Sequence, residues 1–457
     1  MKKFLSAIMI FGMLLAIFTA CGDDATKQND VVDEVAEERD FEDTTFVFMS
    51  NWVNQFFAIE GFSDIGDHQL TRYKELKEKY NFNIKFVTEG EPQTRVTRAV
   101  ASGTDIPDIV DTEAAKGYTM KKAGLLVPYE EISTINLKDE KWGVPNFIIY
   151  GRFDDLTYGT YPYLWLDCPH FAGIVMFNNE LIKKLGLENP YELQENKVWT
   201  WDKFEQVLTN ATITEAENPV IGMGVIGKND LVKTAIFSNN GQLVKQDGNG
   251  VYSYALDQPE AIEGMDFIQR LVNNKIIKEI SLPDFTKDKS VYLFSETWQG
   301  TVMSETAEKE GRPIYTMNDF GFLPFPNGPK ALESTTGAYV HKTRRLNFVI
   351  DSSEHSNDDI GFMMDKMFSP LGAENPITWK ERGLDLIFHH IEGYNNYLDM
   401  VNKVSYDYSV QLTSTYAKLD AALSNVYAAK KAPSELIEAV KTIAIGEIDR
   451  ELNNVAE

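Results

Sequence analysis

From Thr44 onward the chain alternates short apolar runs with stretches of three-to-four spacing. "TTFVFMSNW" is a β-branched and aromatic run ending in a polar turn, the pattern of a buried strand. Leu70, Tyr73, Leu76 and Tyr80 then recur at helical spacing, and "FNIKFVTEG" reads as a second strand. "TRVTRAVASG" reads as a helix that stops at Gly103, and "DIPDIVDTE" as a third short strand. The order β, α, β, α, β predicts a mainly parallel sheet covered by helices, and in such sheets ligands sit at the carboxyl ends of the strands. The first candidates are therefore the residues leaving the first and third strands: Asn51 and Trp52, then Asp111, Thr112 and Glu113.

Further along, "VWTWDKFEQVLTNA" predicts a helix with Thr200 as N-cap. "LDQPEAIEGMDFIQRLVNN" predicts another, with Asp257 as cap and Glu260 three residues on in a capping box, and Ile262, Met265, Ile268, Leu271 and Val272 as its apolar face. "QDGNGVYSY" lacks the glycine a calcium loop needs at its sixth place and reads as a hairpin turn. "GTVMSE" reads as a strand, and the chain from about Thr378 to Val455 as almost wholly helical, broken at "KKAPSE". No repeat of solenoid period occurs.

The first residues have a different pattern. Met1, Lys2 and Lys3 are followed by an uncharged, mostly apolar run from Phe4 to Phe18 and then by Thr19, Ala20, Cys21 and Gly22. This is the layout of an export signal, shorter than the ~20 residues that span a bilayer. From Gly22 to Asp43 acidic residues outnumber the two basic ones, Lys27 and Arg39, so the stretch reads as a flexible spacer.

Composition narrows the function. With 44 Lys+Arg against 69 Asp+Glu, the 457 residues carry a formal charge of −25, which argues against nucleic acid as a partner. The two cysteines, Cys21 and Cys168, cannot form a disulfide framework, and Cys168 reads as a buried small apolar residue.

Six segments in fixed order resemble the extracellular solute-binding protein family 1, the substrate-binding subunits of ABC importers. They are "ASGTDIPDIV", "YTMKKAGLLVPYEEI", "FAGIVMFNNELIKKLGL" with "WTWDKFEQVL" behind it, "LDQPEAIEGMDFIQRLV", "GTVMSE" and "GFLPFPNGP". The resemblance implies an α/β, two-lobed periplasmic-binding-protein-like fold of type II, each lobe a mainly parallel sheet flanked by helices, with the ligand in the cleft between them. It implies crossovers near "AGIVMFNN" and near "FLPFPNGPK", where Pro324, Pro326 and Pro329 fix an irregular connection. Residues 44–172 plus 320–375 would form one lobe and 173–319 plus 376–457 the other, after a signal peptide (1–20) and an acidic linker (21–43). The start of the chain resembles a lipoprotein lipobox, which implies a lipid on Cys21 and a tether on the extracytoplasmic face of the cell membrane.

The resemblance also implies the work: a monomer that closes on a small-molecule solute, most commonly a carbohydrate, and hands it to a membrane permease, with no cofactor and no metal. Sugar rings offer apolar faces and a rim of hydroxyls, which suits aromatic platforms flanked by carboxylates and amides. Trp52 is read as such a platform or as a core residue, and Glu113 as a hydroxyl acceptor or a solvated loop charge. Trp165 and Asp167, in "LTYGTYPYLWLDCPHF", face the cleft or pack an insertion. Asn239 and Asn240 line the second lobe or cap a turn ahead of Gly241. Trp298 precedes "GTVMSE" and Glu305 ends it; family members often carry an aromatic platform shortly after this strand, whereas here "SETAEKEG" has none, and Glu305 would suit an amine-bearing solute. Tyr339 re-enters the first lobe near the cleft, Tyr408 or Tyr416 approach it from the tail, and Trp201 is core.

Catalytic signatures are missing: the sequence has no GxSxG, HExxH, P-loop or GxGxxG, and His389 with His390 have poor metal-ligand spacing. Two rival readings stay open, a lipoprotein that reports a ligand to a membrane sensor and an extracellular glycoside hydrolase built on two carboxylates.

Overall fold

The computed structural model describes residues 39–51, 64–143, 145–161, 169–303, 317, 319–351, 353–369 and 388–453. Phe41–Glu457 folds as a unit distinct from Met1–Asp40. The expected signal, lipobox Cys21 and most of the acidic linker lie outside the described residues, as do Trp52, Trp165, Asp167, Cys168 and Glu305.

Strand Thr44–Ser50 pairs in parallel with Phe82–Thr88 on one side and Ile109–Glu113 on the other. Helices Asp64–Tyr80 and Pro92–Ser102 connect them, so the β, α, β, α, β reading stands. Gly103 ends the second helix at φ 67, a left-handed cap that glycine adopts without a Cβ penalty. The sheet is completed by Arg345–Ile350, antiparallel to Ile109–Glu113, and by the short strands Leu126–Val127 and Gly159–Thr160 beside it.

A second sheet orders Ile277–Glu279, Ile221–Val225, Ser290–Glu296, Ala172–Asn178 and Phe320–Pro324. The first three are parallel, and the last two add antiparallel pairings. In each sheet the parallel trio is made by consecutive crossover units, whereas strands that arrive from the other sheet enter from the opposite end. Phe320–Pro324 runs in this second sheet, so the chain leaves it after Pro324 and not before Phe320, as the expected lobe limits had it. All seven residues of Ala172–Asn178 are buried, as befits a strand covered on both faces.

Helix Trp201–Ala211 illustrates how the second sheet is covered. Thr200 caps it by accepting from Lys203 N, and Trp201, Phe204, Val207, Leu208 and Ala211 form its buried face. Trp201 stacks on Phe267 with centroids 4.4 Å apart, the core role expected for it. Burying each such large side chain contributes about 1.5–3 kcal/mol. Helix Pro259–Asn273 starts one residue later than expected: Pro259 takes its first turn, Gln258 stands at the cap without a side-chain bond to the helix, and Asp257 pairs with Lys441 instead. A capping box does form at Ser281 and Asp284. The hairpin at Asp247 is as expected, with Asp247 Oδ1 accepting from Asn249 N and Val251 N.

The described part of "GTVMSE", Gly300–Met303, is helical and not a strand. Residues Trp298–Met303 form a short helix, and the strand is the preceding apolar run Ser290–Glu296. The tail is helical over Ile391–Val401, Tyr416–Tyr427 and Pro433–Glu451, but the segment around Ser405 is extended. There the chain passes beside two other connections: Ala172 and Tyr339 exchange backbone bonds at 2.9 and 3.1 Å, and Ser405 N donates to Ala338 O at 2.8 Å. Gly173 (φ 92) lies so close to Gly337 that an added Cβ would sit 2.4 Å from the Gly337 carbonyl oxygen, so this contact requires glycine.

Candidate functional site

Because Thr44–Ser50 and Ile109–Glu113 are parallel neighbours, their carboxyl ends emerge side by side, and the antiparallel strand places Arg345 opposite Glu113 at the same edge. Arg345 Nε donates to Asp111 Oδ2 at 2.6 Å, Nη1 to Asn51 Oδ1, and Nη2 to the Asp111 carbonyl oxygen and to Ser50 Oγ at 3.4 Å. Ser50 Oγ donates to Asp111 Oδ2 at 2.7 Å. Burial pushes the Asp111 carboxyl above its ordinary value, with Arg345 and Ser50 pulling against the shift.

The second sheet presents its own strand ends. Glu296 closes Ser290–Glu296 and accepts from Arg344 Nη2 at 2.9 Å. Asp230 stands in the first turn of helix Lys228–Ser238, which follows strand Ile221–Val225. Its Oδ1 accepts from Tyr339 OH at 2.5 Å and lies 3.4 Å from His341 Nε2. Burial pushes Asp230 up, but His341, Lys233 and the Tyr339 hydroxyl outweigh it and hold the carboxyl below its ordinary value.

One turn further, Lys233 Nζ donates to Tyr416 OH at 2.5 Å and lies 3.3 Å from Asp407 Oδ2 and 3.0 Å from Asp420 Oδ1. Lys342 donates to the other oxygen of Asp420. Burial disfavours the Lys233 cation, yet Tyr416 and the surrounding carboxylates more than compensate and raise its pKa well above the ordinary value. The adjacent residues Arg344 and Arg345 thus reach opposite ways, one to Glu296 of the second sheet and one to Asp111 of the first.

Of the expected site residues, Asn51 and Tyr339 are in this polar region. Glu113 is half-buried at its edge, in register with Arg345. Trp298 lies two residues beyond the strand that ends in Glu296 and is 37% exposed. The aromatic judged missing after this strand is therefore present, because the strand lies earlier than the sequence reading had it. Asn240 is elsewhere: it is exposed, at φ 64, beyond the opposite end of the helix that begins with Asp230's turn. Its buried neighbour Asn239 bonds Glu260, Glu263 and Lys330. Tyr416 reaches the region, while Tyr408 packs on Tyr252 and Tyr406.

Sequence reasoning missed the cations. Arg344, Arg345, Lys233 and His341 are not among the expected residues, because sugar recognition points to carboxylates, amides and aromatics, although "HKTRRL" running into a strand was a visible signal. Among the described residues, no group of three or more His, Cys, Asp or Glu is arranged to hold a metal ion.

The profile of the bacterial extracellular solute-binding protein family matches residues 64–345, more than half of the chain. Curated protein sequences give no match. Solved structures do. The GacH receptor of Streptomyces glaucescens, solved unliganded and with acarbose and an acarbose homolog, is 15% identical with a TM-score of 0.61, over 91% of this chain and 100% of that one. Lmo0181 from Listeria monocytogenes, an ABC substrate-binding protein in complex with cycloalternan, is 13% identical with a TM-score of 0.60, over 89% and 98%. UgpB from Mycobacterium tuberculosis, in complex with glycerophosphocholine, is 14% identical with a TM-score of 0.59, over 89% and 98%. These identities establish a shared fold, with this chain taking the two-lobed α/β architecture of type II.

Proposed function

The chain belongs to the bacterial extracellular solute-binding protein family, and from that premise we propose that it is the substrate-binding subunit of an ABC importer, capturing a carbohydrate by closure of its two lobes. One observation carries the reading: strand ends of both sheets present polar groups that Arg344 and Arg345 join across a single peptide unit. A solute held there contacts both lobes, so its binding free energy shifts the equilibrium between open and closed forms. The sugar assignment is supported by Trp298, an exposed aromatic two residues beyond Glu296, and by fold relatives solved with acarbose and cycloalternan.

In this reading Asn51, Glu113, Trp298 and Tyr339 bind or frame the solute, and Trp52, Trp165, Asp167 and Glu305 remain candidates from sequence. The protein is a binder and not an enzyme: in the described site Asp111, Glu296 and Asp420 are each bonded to a cation, which serves positioning better than proton exchange. Cys21 carries the lipid that tethers a monomer outside the cell, next to its permease. Among the described residues no helix is long and apolar enough to cross a membrane.

The test is a thermal-shift screen of the full chain against mono- and oligosaccharides, amino acids, polyamines and glycerophosphodiesters. A ligand at 100 times its Kd stabilises by ~2.7 kcal/mol, enough for a shift of a few degrees. Stabilisation by oligosaccharides alone supports the proposal; stabilisation by amines or phosphodiesters alone sinks the sugar assignment. For the tether, Cys21→Ala is expected to release the protein from the membrane fraction.

A further inference from the structure

The last helix is fastened to both lobes. Pro433–Glu451 packs against Tyr416–Tyr427, Pro259–Asn273 and strand Tyr252–Tyr254, all on the side of the second sheet. Its final turn reaches across. The Glu451 carbonyl accepts from Tyr118 OH at 2.9 Å, and its carboxylate takes Lys122 Nζ on one oxygen and Arg450 Nε at 3.0 Å on the other. Tyr118 and Lys122 belong to helix Ala114–Lys122, which packs on the first sheet. Two residues on, Asn453 Oδ1 accepts from Tyr252 N at 2.8 Å and its Nδ2 donates to Tyr252 O at 2.9 Å, returning the end of the chain to the second lobe.

Three observations set these contacts apart from ordinary surface pairing. The Glu451 side chain is 8% exposed although Lys122 is half-exposed, so the carboxylate is sheltered where the two lobes meet. Tyr118 is almost fully buried, which fixes the direction of its hydroxyl. The Ala114–Lys122 helix has nine residues, so at 1.5 Å per residue Lys122 lies ~13.5 Å along it from Glu113 at the site's edge. Contacts there act on lobe position without touching a solute at the strand ends.

We propose that Glu451, with Lys122 and Tyr118, forms a clasp remote from the solute site that holds the two lobes in the arrangement seen here, and so sets how much conformational work a solute has to do. The proposal rests on capture by lobe closure. Breaking the clasp depopulates this arrangement, and because one ion pair and one hydroxyl bond are modest interactions, the ratio of arrangements changes by about two- to fivefold.

The experiment is a pulsed electron-spin distance measurement on the full chain without solute, with labels on ketone-bearing residues introduced at Thr94 in one lobe and Ser434 in the other, both exposed. The parent protein is expected to give one dominant distance. Lys122→Glu and Glu451→Lys each add a displaced population, the swapped double variant Lys122→Glu/Glu451→Lys restores the parent distribution, and Tyr118→Phe shifts it less in the same direction. Distances unchanged in the single variants, or a double variant no better than the singles, overturn the clasp. Should a charge reversal prevent folding, Lys122→Gln and Glu451→Gln carry the same comparison. Since no solute is involved, failure of every solute to compact the protein would remove the capture reading while the clasp is judged on its own distances.

Discussion

Two polar clusters bracket the candidate site, and they differ in access to water. Around Lys233 the chain has sealed its charges: Lys233 and Asp407 are each 1% exposed, and the ammonium's neighbours are groups of the chain itself. At the edge of the first sheet Arg345 is 16% exposed and Asn51 half-buried, so that cluster is ordered but open to a visitor. Both are built from carboxylates with cations. The difference teaches that ion pairing alone does not mark a binding surface. A sealed pair holds helix Lys228–Ser238, helix Tyr416–Tyr427 and the extended tail in register, and a partly open pair offers its remaining surface to a solute.

The contrast is open to direct attack. The largest effect is expected from Lys233→Ala, which leaves Asp407 buried without its cation and Asp420 with Lys342 alone and should cost about 3–5 kcal/mol in urea unfolding; a loss below about 1 kcal/mol would mean that water reaches the cluster. Next comes Arg345→Ala, expected to cost about 1–3 kcal/mol in stability because Asp111 loses its cation and keeps only Ser50, and to weaken solute capture at least tenfold by titration calorimetry. Arg345→Lys should not rescue capture, since a point charge cannot span both Asn51 and Asp111 as a planar fork does.

Acid distinguishes the clusters by sign. Asp230 and Asp420 have lowered folded-state pKa values, so their contribution is present above the ordinary 3.8 and is lost as pH falls through the folded values below it. Asp111 is raised, so the folded form binds its proton first and acidification toward 3.8 favours folding at that site. Melting profiles against pH should therefore lose a gain on mild acidification in Asp111→Asn and lose a decline below 3.8 in Asp420→Asn. Smaller still in stability is Trp298→Ala, expected to change folding by no more than ~0.5 kcal/mol yet to lower carbohydrate affinity about tenfold, or ~1.4 kcal/mol. Least of all, Asn240→Gly keeps its left-handed turn and should leave both quantities within ~0.5 kcal/mol of the parent.

Much of the fold was legible because its signals are local. Apolar runs, the Gly103 stop, the Thr200 cap and the Asp247 turn each act within a few residues, and all are found as read. Errors arose where a neighbour or a distant segment decided. Pro259 took the helix start from the Asp257 capping box, and Phe320–Pro324 joined the second sheet through pairing with Ala172–Asn178, a partner invisible to local pattern. The strand assigned to "GTVMSE" belonged to the run before it, which moved Trp298 from a strand's beginning to its end. For the site, strand order pointed to Asn51 and to the Asp111–Glu113 end, but Arg345 arrives from more than two hundred residues away. No spacing in the sequence encodes that meeting.

The three connections side by side at Ala172, Tyr339 and Ser405 have a mechanical consequence. Bonded edge to edge, three extended backbones make a ribbon, and a ribbon bends readily across its face while resisting shear along it. In the proposed capture by closure, that stiffness in one direction and compliance in another favour rotation of the two halves over sliding, with Gly173 packed tightly against Gly337 beside the bonds.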